Sequence, residues 1–215
     1  MSTKRASVPV QPHAAGDDGV RLRERKKRTT WRALQMAGLS LVAERGLHAV
    51  TTEQIAAEAG VSQRTLFNYF TSKEDVLVGT DPELAPALAA ILRARPATEP
   101  PLESLKQVFV GYAEAIAQDQ HRWQLRMQAV DDNPELLPAL VGSSAVIGRE
   151  LTRAVAARTG MDPDSETYPS LVVNVSLTTL RTVLHKHAAA GFAGSLTALT
   201  AAAFDAVMAG LPSPD

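Results

Sequence analysis

The side chains with the greatest capacity for recognition in this 215-residue chain cluster in one window, residues 51–70. The window reads TTEQIAAEAGVSQRTLFNYF, and its second half carries a run of hydrogen-bond formers: Gln63, Arg64, Thr65, Asn68 and Tyr69. Amide, guanidinium and hydroxyl groups of this kind can pair with nucleobase edges or with phosphate oxygens. They can do so only when the local structure presents them together on one exposed surface.

Small residues in the window predict two short helices that cross at a tight turn. Ala56 permits a close crossing, and Gly60 tolerates the positive φ that such a turn requires. Thr51 and Gln54 have the spacing of a capping box at the start of the first helix. The apolar contacts that would clamp the pair come from Ile55, Val61, Leu66 and Phe70. A helix-turn-helix of this kind exposes its second helix, which suits reading of the DNA major groove.

The charge distribution supports a polyanionic partner for the first part of the chain. The formal net charge is −1, yet residues 1–80 carry 12 basic and 8 acidic side chains, whereas residues 81–215 carry 10 and 15. Many of the basic residues precede the window: Arg21, Arg23, Arg25, Lys26, Lys27, Arg28 and Arg32. We expect this run to approach the DNA backbone or a neighbouring minor groove, although a solvated surface is the alternative.

Residues 28–78 resemble the DNA-binding domain of the TetR/AcrR family of transcriptional regulators. The matches at fixed spacing are Glu44, Gly46, Thr51, Ile55, Ala56, Ala59, Gly60, Val61, Ser62, Thr65, Leu66, Tyr69, Phe70, Ser72, Lys73 and Leu77. The resemblance implies a homodimer of all-α subunits that binds a pseudo-palindromic DNA operator and is released by a small-molecule effector. It maps DNA contacts to Thr52, Gln63, Arg64, Thr65, Phe67, Asn68, Tyr69 and Lys73, and the basic run adds Arg28.

Helical periodicity continues through the rest of the chain, so we predict an all-α protein. The first helix is expected at 23–45, and later helices at 102–119, 121–130, 134–159, 166–190 and 195–210. The predicted organisation is a disordered leader over 1–20, a three-helix DNA-binding bundle over 21–78, and a larger effector-binding and dimerisation domain over 79–215. By the resemblance, the last two helices form a four-helix bundle with those of a second subunit.

Large apolar side chains between residues 109 and 127 are candidates for the wall of an effector pocket. Phe109, Tyr112, Trp123 and Met127 recur at helical spacing in a chain that has few aromatic residues. Their grouping favours a pocket, while burial in an ordinary helix core is the alternative. The sequence therefore predicts an apolar or amphipathic effector.

A polar stripe on the helix expected over 166–190 suggests how an effector would be oriented. Asn174, Thr178 and Arg181 follow one another at steps of four and three, which places them on one helix face. Such a stripe suits an anionic or carbonyl-bearing ligand; alternatively, these side chains bond to each other or face the dimer interface. His185 and His187 are two residues apart and lie on different faces, which argues against joint metal binding.

Several classes of protein are disfavoured by composition. The absence of cysteine excludes thiol catalysis and Cys-ligated metal sites, and no apolar run is long enough to span a bilayer. We therefore expect a cytoplasmic protein without a cofactor.

The sequence leaves two alternatives to a ligand-responsive repressor. Asp131, Asp132 and Glu135 resemble the magnesium motif of all-α terpene synthases. However, Asn133 and Pro134 suit a helix start, Glu135 complements the helix dipole, and the aspartates are then expected in a loop. We therefore predict no enzymatic activity. The second alternative is a DNA-binding architectural protein that responds to no effector.

Overall fold

The computed structural model describes residues 15–212, and its side chains from residue 23 onward except that of Glu24. Within that range the fold is all-α, as predicted, and contains no strand. The ten helices are α1 Ala15–Arg45, α2 Thr52–Glu58, α3 Gln63–Phe67, α4 Lys73–Val78, α5 Leu84–Ala94, α6 Pro101–Ala117, α7 Gln120–Asp132, α8 Leu137–Thr159, α9 Thr167–Ala189 and α10 Leu196–Met208. No helix in the described range is both long enough and apolar enough to cross a bilayer.

Helix α1 begins earlier than the sequence analysis expects. The predicted leader over 1–20 lies partly outside the described residues, but Ala15 to Val20 belong to α1. This part of the helix lacks an apolar stripe, so periodicity gives no signal for it.

Helices α1 to α4 pack into a small bundle around a common core. The buried face of α1 carries Trp31, Leu34 and Leu41. The rings of Trp31 and Phe70 lie 5.5 Å apart, which joins α1 to the segment after α3. Gly38 allows α1 to approach α4 closely, since a Cβ there would lie 3.0 Å from Val76 Cγ1. The short helices are thereby held by tertiary packing.

The larger part of the molecule is built from α5 to α10. Helix α5 packs on α8, α6 packs on α10, and α9 lies against both α8 and α10. The predicted ends of these helices agree with the structure to within a few residues, apart from residues 134–136, which form a separate 3-10 turn before α8. Gly160 ends α8 with φ 71°, which is the role expected of a glycine at that position.

Helix α7 connects the two parts of the molecule. It packs on α1 and α4 on one side and on α6 and α9 on the other. Ala129, Val130 and Leu136 join the same apolar core as the residues of α1 to α4. The bundle that carries the helix-turn-helix is therefore docked on α7 through a continuous core.

The turn between α5 and α6 is fixed by Arg158 near the end of α8. Its guanidinium donates hydrogen bonds to the carbonyl oxygens of Leu92, Arg95, Pro96 and Glu99, at 2.8 to 3.3 Å. The Glu99 carboxylate accepts from Arg95 Nε at 2.8 Å and from the Ser104 hydroxyl at 2.7 Å. These two hydrogen bonds, that of Arg95 first, lower the pKa of Glu99 from 4.5 to about 2.

We predict that the Glu99 carboxylate stabilises the fold in a pH-dependent manner. Because its folded pKa is lowered, its contribution is fully present above about pH 4.5 and is lost as the pH falls toward about 2. Glu99→Gln should therefore reduce the free energy of unfolding at neutral pH, and the difference from the unaltered protein should shrink in acid. Urea denaturation at several pH values measures this, with exposed Glu114→Gln as the control. A difference independent of pH would contradict the prediction.

Candidate functional site

The helix-turn-helix forms around local hydrogen bonds that the sequence encodes. The Thr51 hydroxyl accepts from Gln54 N–H while the Gln54 side chain accepts from Thr51 N–H, so the predicted capping box is present. Gly60 has φ 68°, and Val61 N–H donates to Ala56 C=O at 2.9 Å, which closes the turn. Ser62 caps α3 by accepting from Thr65 N–H. Each short helix thus starts at a side chain that satisfies otherwise unpaired N–H groups.

Helix α3 has one buried face and one exposed face. Leu66 is fully buried against the core, whereas Arg64, Phe67 and Asn68 are exposed. Phe67 is 50% exposed. Thr65 is half-buried, and its hydroxyl is hydrogen-bonded to Ser62 Oγ. The predicted DNA-contacting residues of α3 therefore lie together on one surface.

Gln63 is held in a defined orientation by α2. Its amide nitrogen donates to Thr52 Oγ1 at 3.1 Å and also to the Glu53 carboxylate. A primary amide has two N–H donors, so both are occupied and the carbonyl oxygen remains available as an acceptor. Hydrogen bonds from backbone and side-chain groups lower the pKa of Glu53, which keeps this partner ionised. The Gln63 side chain is thus oriented to accept a hydrogen bond from a base.

Lys73 lies at the start of α4 and is partly engaged within the protein. Its ammonium donates to the carbonyl oxygens of Leu47 at 2.7 Å and of Val50 at 3.0 Å. The group therefore ties α4 to the segment between α1 and α2, leaving one N–H for a phosphate. This structural role was not anticipated from sequence. Tyr69 is half-buried and packs against the core of the bundle.

The basic residues of α1 have exposed side chains wherever these are described. Arg28 and Lys27 each lie 3.9 Å from a carboxylate, those of Asp81 and Glu83 respectively, just before α5. Ion pairs at this distance and exposure are weak, so both cations stay available to a phosphate backbone. Arg28 lies on a different helix from the surface residues of α3, and its DNA contact remains a prediction.

A cavity of about 100 Å³ lies between α6, α7, α9 and the turn before α10. It contains two of the predicted pocket residues, Trp123 and Met127. The other lining residues are Ile116, Ala117, Gln120, Leu184, His187, Phe192, Gly194, Ser195, Leu196 and Thr197. The sequence does not predict Gln120, His187 or Phe192 as pocket residues. No local pattern indicates that α7, α9 and the turn after α9 converge at this cavity.

Phe109 and Tyr112 do not line this cavity, which corrects the sequence-based assignment. Phe109 is 1% exposed and stacks on Phe204 at 6.0 Å between ring centroids, so it belongs to the core. Tyr112 packs edge-to-face against Trp123, with 6.3 Å between the two ring centroids. Phe109 therefore fits the alternative interpretation of these aromatic residues, which is burial in an ordinary helix core.

The polar stripe of α9 also lies elsewhere than expected. Asn174, Thr178 and Arg181 are exposed, so they do not form part of a pocket inside the subunit. The buried face of α9 carries Val172, Val173, Ser176, Thr179, Leu180, Val183 and His187. The buried residues have the same helical spacing as the predicted stripe. Because both faces of α9 contain polar and apolar side chains, the sequence does not indicate which face is buried. His185 is exposed and His187 is buried, so the two histidines do lie on different faces.

A set of buried polar contacts joins α7 to the DNA-binding bundle; we call it the junction and define it as Gln35, Arg122 and Arg126. Gln35 is fully buried on α1, and its amide nitrogen donates to Gly79 C=O at 3.1 Å. Its carbonyl oxygen accepts from the Arg122 guanidinium. Arg126 donates to Val78 C=O at the end of α4. Both arginines belong to α7, so α7 holds α1 and α4 in a fixed relation.

Arg126 places a buried charge between the junction and the cavity. Its guanidinium carbon lies 4.9 Å from the centroid of Trp123, a cation–π distance, and the residue is 7% exposed. Burial lowers the pKa of Arg126 to about 10, so the group remains charged at neutral pH. Burial also raises the pKa of the Tyr112 phenol. Trp123 thus contacts the cavity on one side and the Arg126 cation on the other.

The acidic motif of residues 131–135 has a structural explanation. Asp131 and Asp132 lie in the last turn of α7 and not in the expected loop, because the helix continues to Asp132 before Asn133 turns the chain. Glu135 lies 3.3 Å from His48 Nε2. Among the described residues there is no group of three His, Cys, Asp or Glu side chains arranged to hold a metal ion.

Comparisons with known proteins agree with this architecture. A model of the bacterial regulatory proteins of the tetR family matches residues 36–79, and a model of the MftR C-terminal domain matches residues 99–212. The HTH-type transcriptional regulator TcmR from Streptomyces glaucescens is 34% identical over 164 residues, which span 74% of this chain and 73% of TcmR.

Solved structures share the fold at lower identity. The transcriptional regulator FadR from Bacillus subtilis, in complex with stearoyl-CoA, superposes with a TM-score of 0.55 at 19% identity, over 85% of this chain and 100% of FadR. FadR from Thermus thermophilus, in complex with lauroyl-CoA, gives 0.53 at 20% identity over 86% and 96% of the two chains. The helix-turn-helix, the two matched family models and the similarity to TcmR together show that the chain belongs to the TetR family of DNA-binding transcriptional regulators.

Proposed function

We propose that the protein is a dimeric repressor that binds a pseudo-palindromic operator through α3 and leaves it when an effector enters the cavity. The observation that carries this proposal is the exposed face of α3, which combines Arg64, Phe67 and Asn68 with the oriented amide of Gln63. In the major groove Arg can read guanine and Asn can read adenine. Lys73 and Arg28 are assigned to phosphates, and Thr52, Thr65 and Tyr69 to positioning contacts.

The exposed faces of α9 and α10 support a dimer of this chain. The two helices pack side by side, and Leu171 and Leu199 on them are 55% and 44% exposed. Ala198, Ala202 and Ala206 form an exposed stripe of small side chains on α10. Asn174, Thr178 and Arg181 would supply polar contacts across the two-fold axis. A symmetric dimer would place its two α3 helices on half-sites separated by about one turn of DNA.

Helix α7 gives the proposed dimer a route from effector to DNA. One of its faces lines the cavity with Trp123 and Met127, and the adjacent face holds α1 and α4 through the junction. A ligand that fits better when α7 is displaced would shift α4 and change the separation of the two α3 helices. Such a ligand acts only through its differential affinity for the two arrangements, about 1–3 kcal/mol in typical cases.

The dimensions of the cavity favour a compact effector. An engineered protein cavity of about 150 Å³ holds one benzene molecule, and the cavity here measures about 100 Å³. A stearoyl chain such as that bound by B. subtilis FadR contains many more carbon atoms than one ring. We infer that the effector of this protein inserts a group no larger than a single ring, with any larger part outside the cavity.

The assignment as a regulator implies where the protein acts and what it does not do. A protein that binds operator DNA works beside the chromosome, so we place it in the cytoplasm. No catalytic activity or cofactor is part of the proposal. The effector-independent architectural alternative would require that no small molecule changes the affinity for DNA.

Selection of bound duplexes from a random pool tests the proposed function. We expect enrichment of one pseudo-palindromic sequence whose half-sites are about one DNA turn apart. The enriched duplex is then challenged with a panel of metabolites, and we expect release by at least one of them. Absence of enrichment would reject operator recognition, whereas enrichment without release by any compound would favour the architectural alternative.

Base preference should depend on the exposed side chains of α3. We expect Arg64→Ala and Asn68→Ala to change the preferred base at one position of each half-site, since each two-sided base contact contributes about 1–3 kcal/mol of discrimination. Arg93→Ala, which removes an exposed arginine of α5, is the matched control. Titration against operator variants measures the effect. Equal losses of affinity on every variant would contradict the assignment of Arg64 and Asn68 to base edges.

The orientation of Gln63 should depend on Glu53. Glu53→Gln replaces an obligate acceptor with an amide that can turn either way, so Gln63 is free to rotate. We expect the preference at its position to broaden from bases that donate a hydrogen bond to other bases as well. Glu58→Gln removes an exposed carboxylate at the other end of α2 and should leave the preference unchanged. Repeating the selection of bound duplexes with both variants measures the base preference at this position. An unaltered preference in Glu53→Gln would be inconsistent with the role given to Glu53.

The junction should transmit the effect of the ligand to the DNA-binding bundle. Arg126→Met keeps an apolar stem of similar length but leaves the buried Val78 C=O without its donor, so we expect the free energy of unfolding to fall by about 1–3 kcal/mol. The concentration of effector that releases half of the DNA should rise by about tenfold, because the contact with Val78 C=O is lost. Exposed Arg153→Met is the control. Unchanged release by Arg126→Met would show that coupling takes another route.

A further inference from the structure

The cavity contains a polar group whose hydrogen bonding is incomplete. His187 lines the cavity, is 6% exposed, and its buried Nδ1 has no hydrogen-bond partner among the described residues. A buried imidazole nitrogen left unpaired is destabilising, and native proteins usually pair such groups with protein, water or ligand. Because His187 lines the cavity, a polar ligand atom would supply a partner for this nitrogen after a small movement of the ring.

The N-terminus of α10 lies at the same cavity. Gly194, Ser195, Leu196 and Thr197 line it, and they span the start of this 13-residue helix. The Ser195 hydroxyl accepts from Ala198 N–H, while the first N–H groups of a helix have no partner within the helix. These groups and the positive end of the helix dipole favour an anion. The helix start and the unpaired imidazole therefore indicate the same kind of ligand.

Aromatic rings form the apolar part of the wall. Trp123 lies on α7, and Phe192 lies in the turn between α9 and α10, where its ring stands edge-to-face with His187 at 5.5 Å. Phe192 has φ 60°, a strained conformation for a bulky residue, and its N–H donates to His187 C=O at 2.8 Å. The turn thus fixes Phe192 and His187 relative to each other. Two such rings suit a planar apolar group.

The remaining lining residues are compatible with a negative ligand. None of them carries a carboxylate, so an anion meets no repulsion from the wall itself. Gln120 adds an amide that can donate a hydrogen bond. The volume of about 100 Å³ limits the enclosed group to about one ring.

We propose that the effector is a small aromatic carboxylate whose ring lies against Trp123 and Phe192 and whose carboxylate accepts hydrogen bonds from His187 and from the N-terminus of α10. The inference rests on the proposed function, since it assigns a chemical class to the effector of that same cavity. An imidazole N–H donates to the carboxylate in this arrangement, which satisfies the ring. The aromatic ring fills the apolar space beside Trp123 and contacts the face of α7 that leads to the junction.

Calorimetric titration of the full chain with three probes of equal ring size tests the proposal. Benzoate carries the carboxylate, benzyl alcohol replaces it by a neutral hydroxyl, and toluene has no polar group. We expect benzoate to bind about tenfold or more tightly than either neutral probe, as charge-assisted hydrogen bonds contribute more than neutral ones. Equal affinity for the three probes, or no heat with millimolar benzoate, would overturn the proposal.

Substitution of His187 separates recognition from packing. His187→Phe keeps a planar ring beside Phe192 and removes both nitrogens, so we expect benzoate to bind about tenfold more weakly and toluene to bind as before. Without ligand the variant should be at least as resistant to thermal unfolding, because an unpaired buried nitrogen is gone. His185→Ala, on the exposed face of α9, is the control. Unchanged benzoate affinity in His187→Phe would exclude the assigned hydrogen bond.

The experiments can distinguish failure of the proposed effector class from failure of the proposed regulatory function. If benzoate fails to bind but the protein still selects an operator and another panel compound releases it, the effector class is wrong while the proposed function stands. If no operator is selected, the proposed function fails irrespective of what the cavity binds. Binding of benzoate that also weakens the complex with the selected operator would support both.

Discussion

The arrangement of the molecule depends on the buried hydrogen bonds between α7 and the DNA-binding bundle. Gln35 is fully buried, so its amide must be paired, and it is paired with Gly79 C=O on one side and Arg122 on the other. Arg126, also buried, has Val78 C=O and the face of Trp123 as its partners. Leaving any of these groups unpaired would be costly. The bundle therefore cannot change its position on α7 without exchanging a complete set of contacts.

This constraint explains how one chain can combine a DNA-reading surface with a distant cavity. Helix α3 is too short to be stable alone, and the core around Leu66 and Phe70 holds it in place. That core continues into α7, whose neighbouring face borders the cavity at Trp123 and Met127. A rearrangement with two discrete states is more plausible at such an interface than gradual deformation, since buried polar contacts are either made or broken.

The helix-turn-helix was predictable because its determinants are local. The capping box at Thr51 and the positive φ at Gly60 follow from residue type and short spacing, and the structure confirms both. The cavity was predictable only in part. Trp123 and Met127 line it, but Phe109 is core, and His187 and Phe192 reach it through packing of α9 and its following turn. Periodicity identifies the faces of a helix without saying which face its neighbours cover.

Helix α9 shows this limit most clearly. The exposed face carries Asn174, Thr178 and Arg181. The buried face has the same helical period and also carries polar side chains, those of Ser176, Thr179 and His187, among its apolar residues. Only the positions of α8 and α10 decide which face is inside. The early start of α1 has a related cause, because a helix that is polar all round leaves no apolar pattern. Tertiary contacts supply the information that the pattern of α9 lacks.

The central claim, that occupation of the cavity moves the DNA-binding bundles, can be measured as a distance. The chain contains no cysteine, so Glu58→Cys at the exposed end of α2 introduces a single spin-label site in each subunit. Pulsed electron paramagnetic resonance then gives the distance between the two labels of a dimer with operator bound and with the releasing compound bound. The account predicts two distinct distances. Release of DNA with the same distance in both states would contradict it.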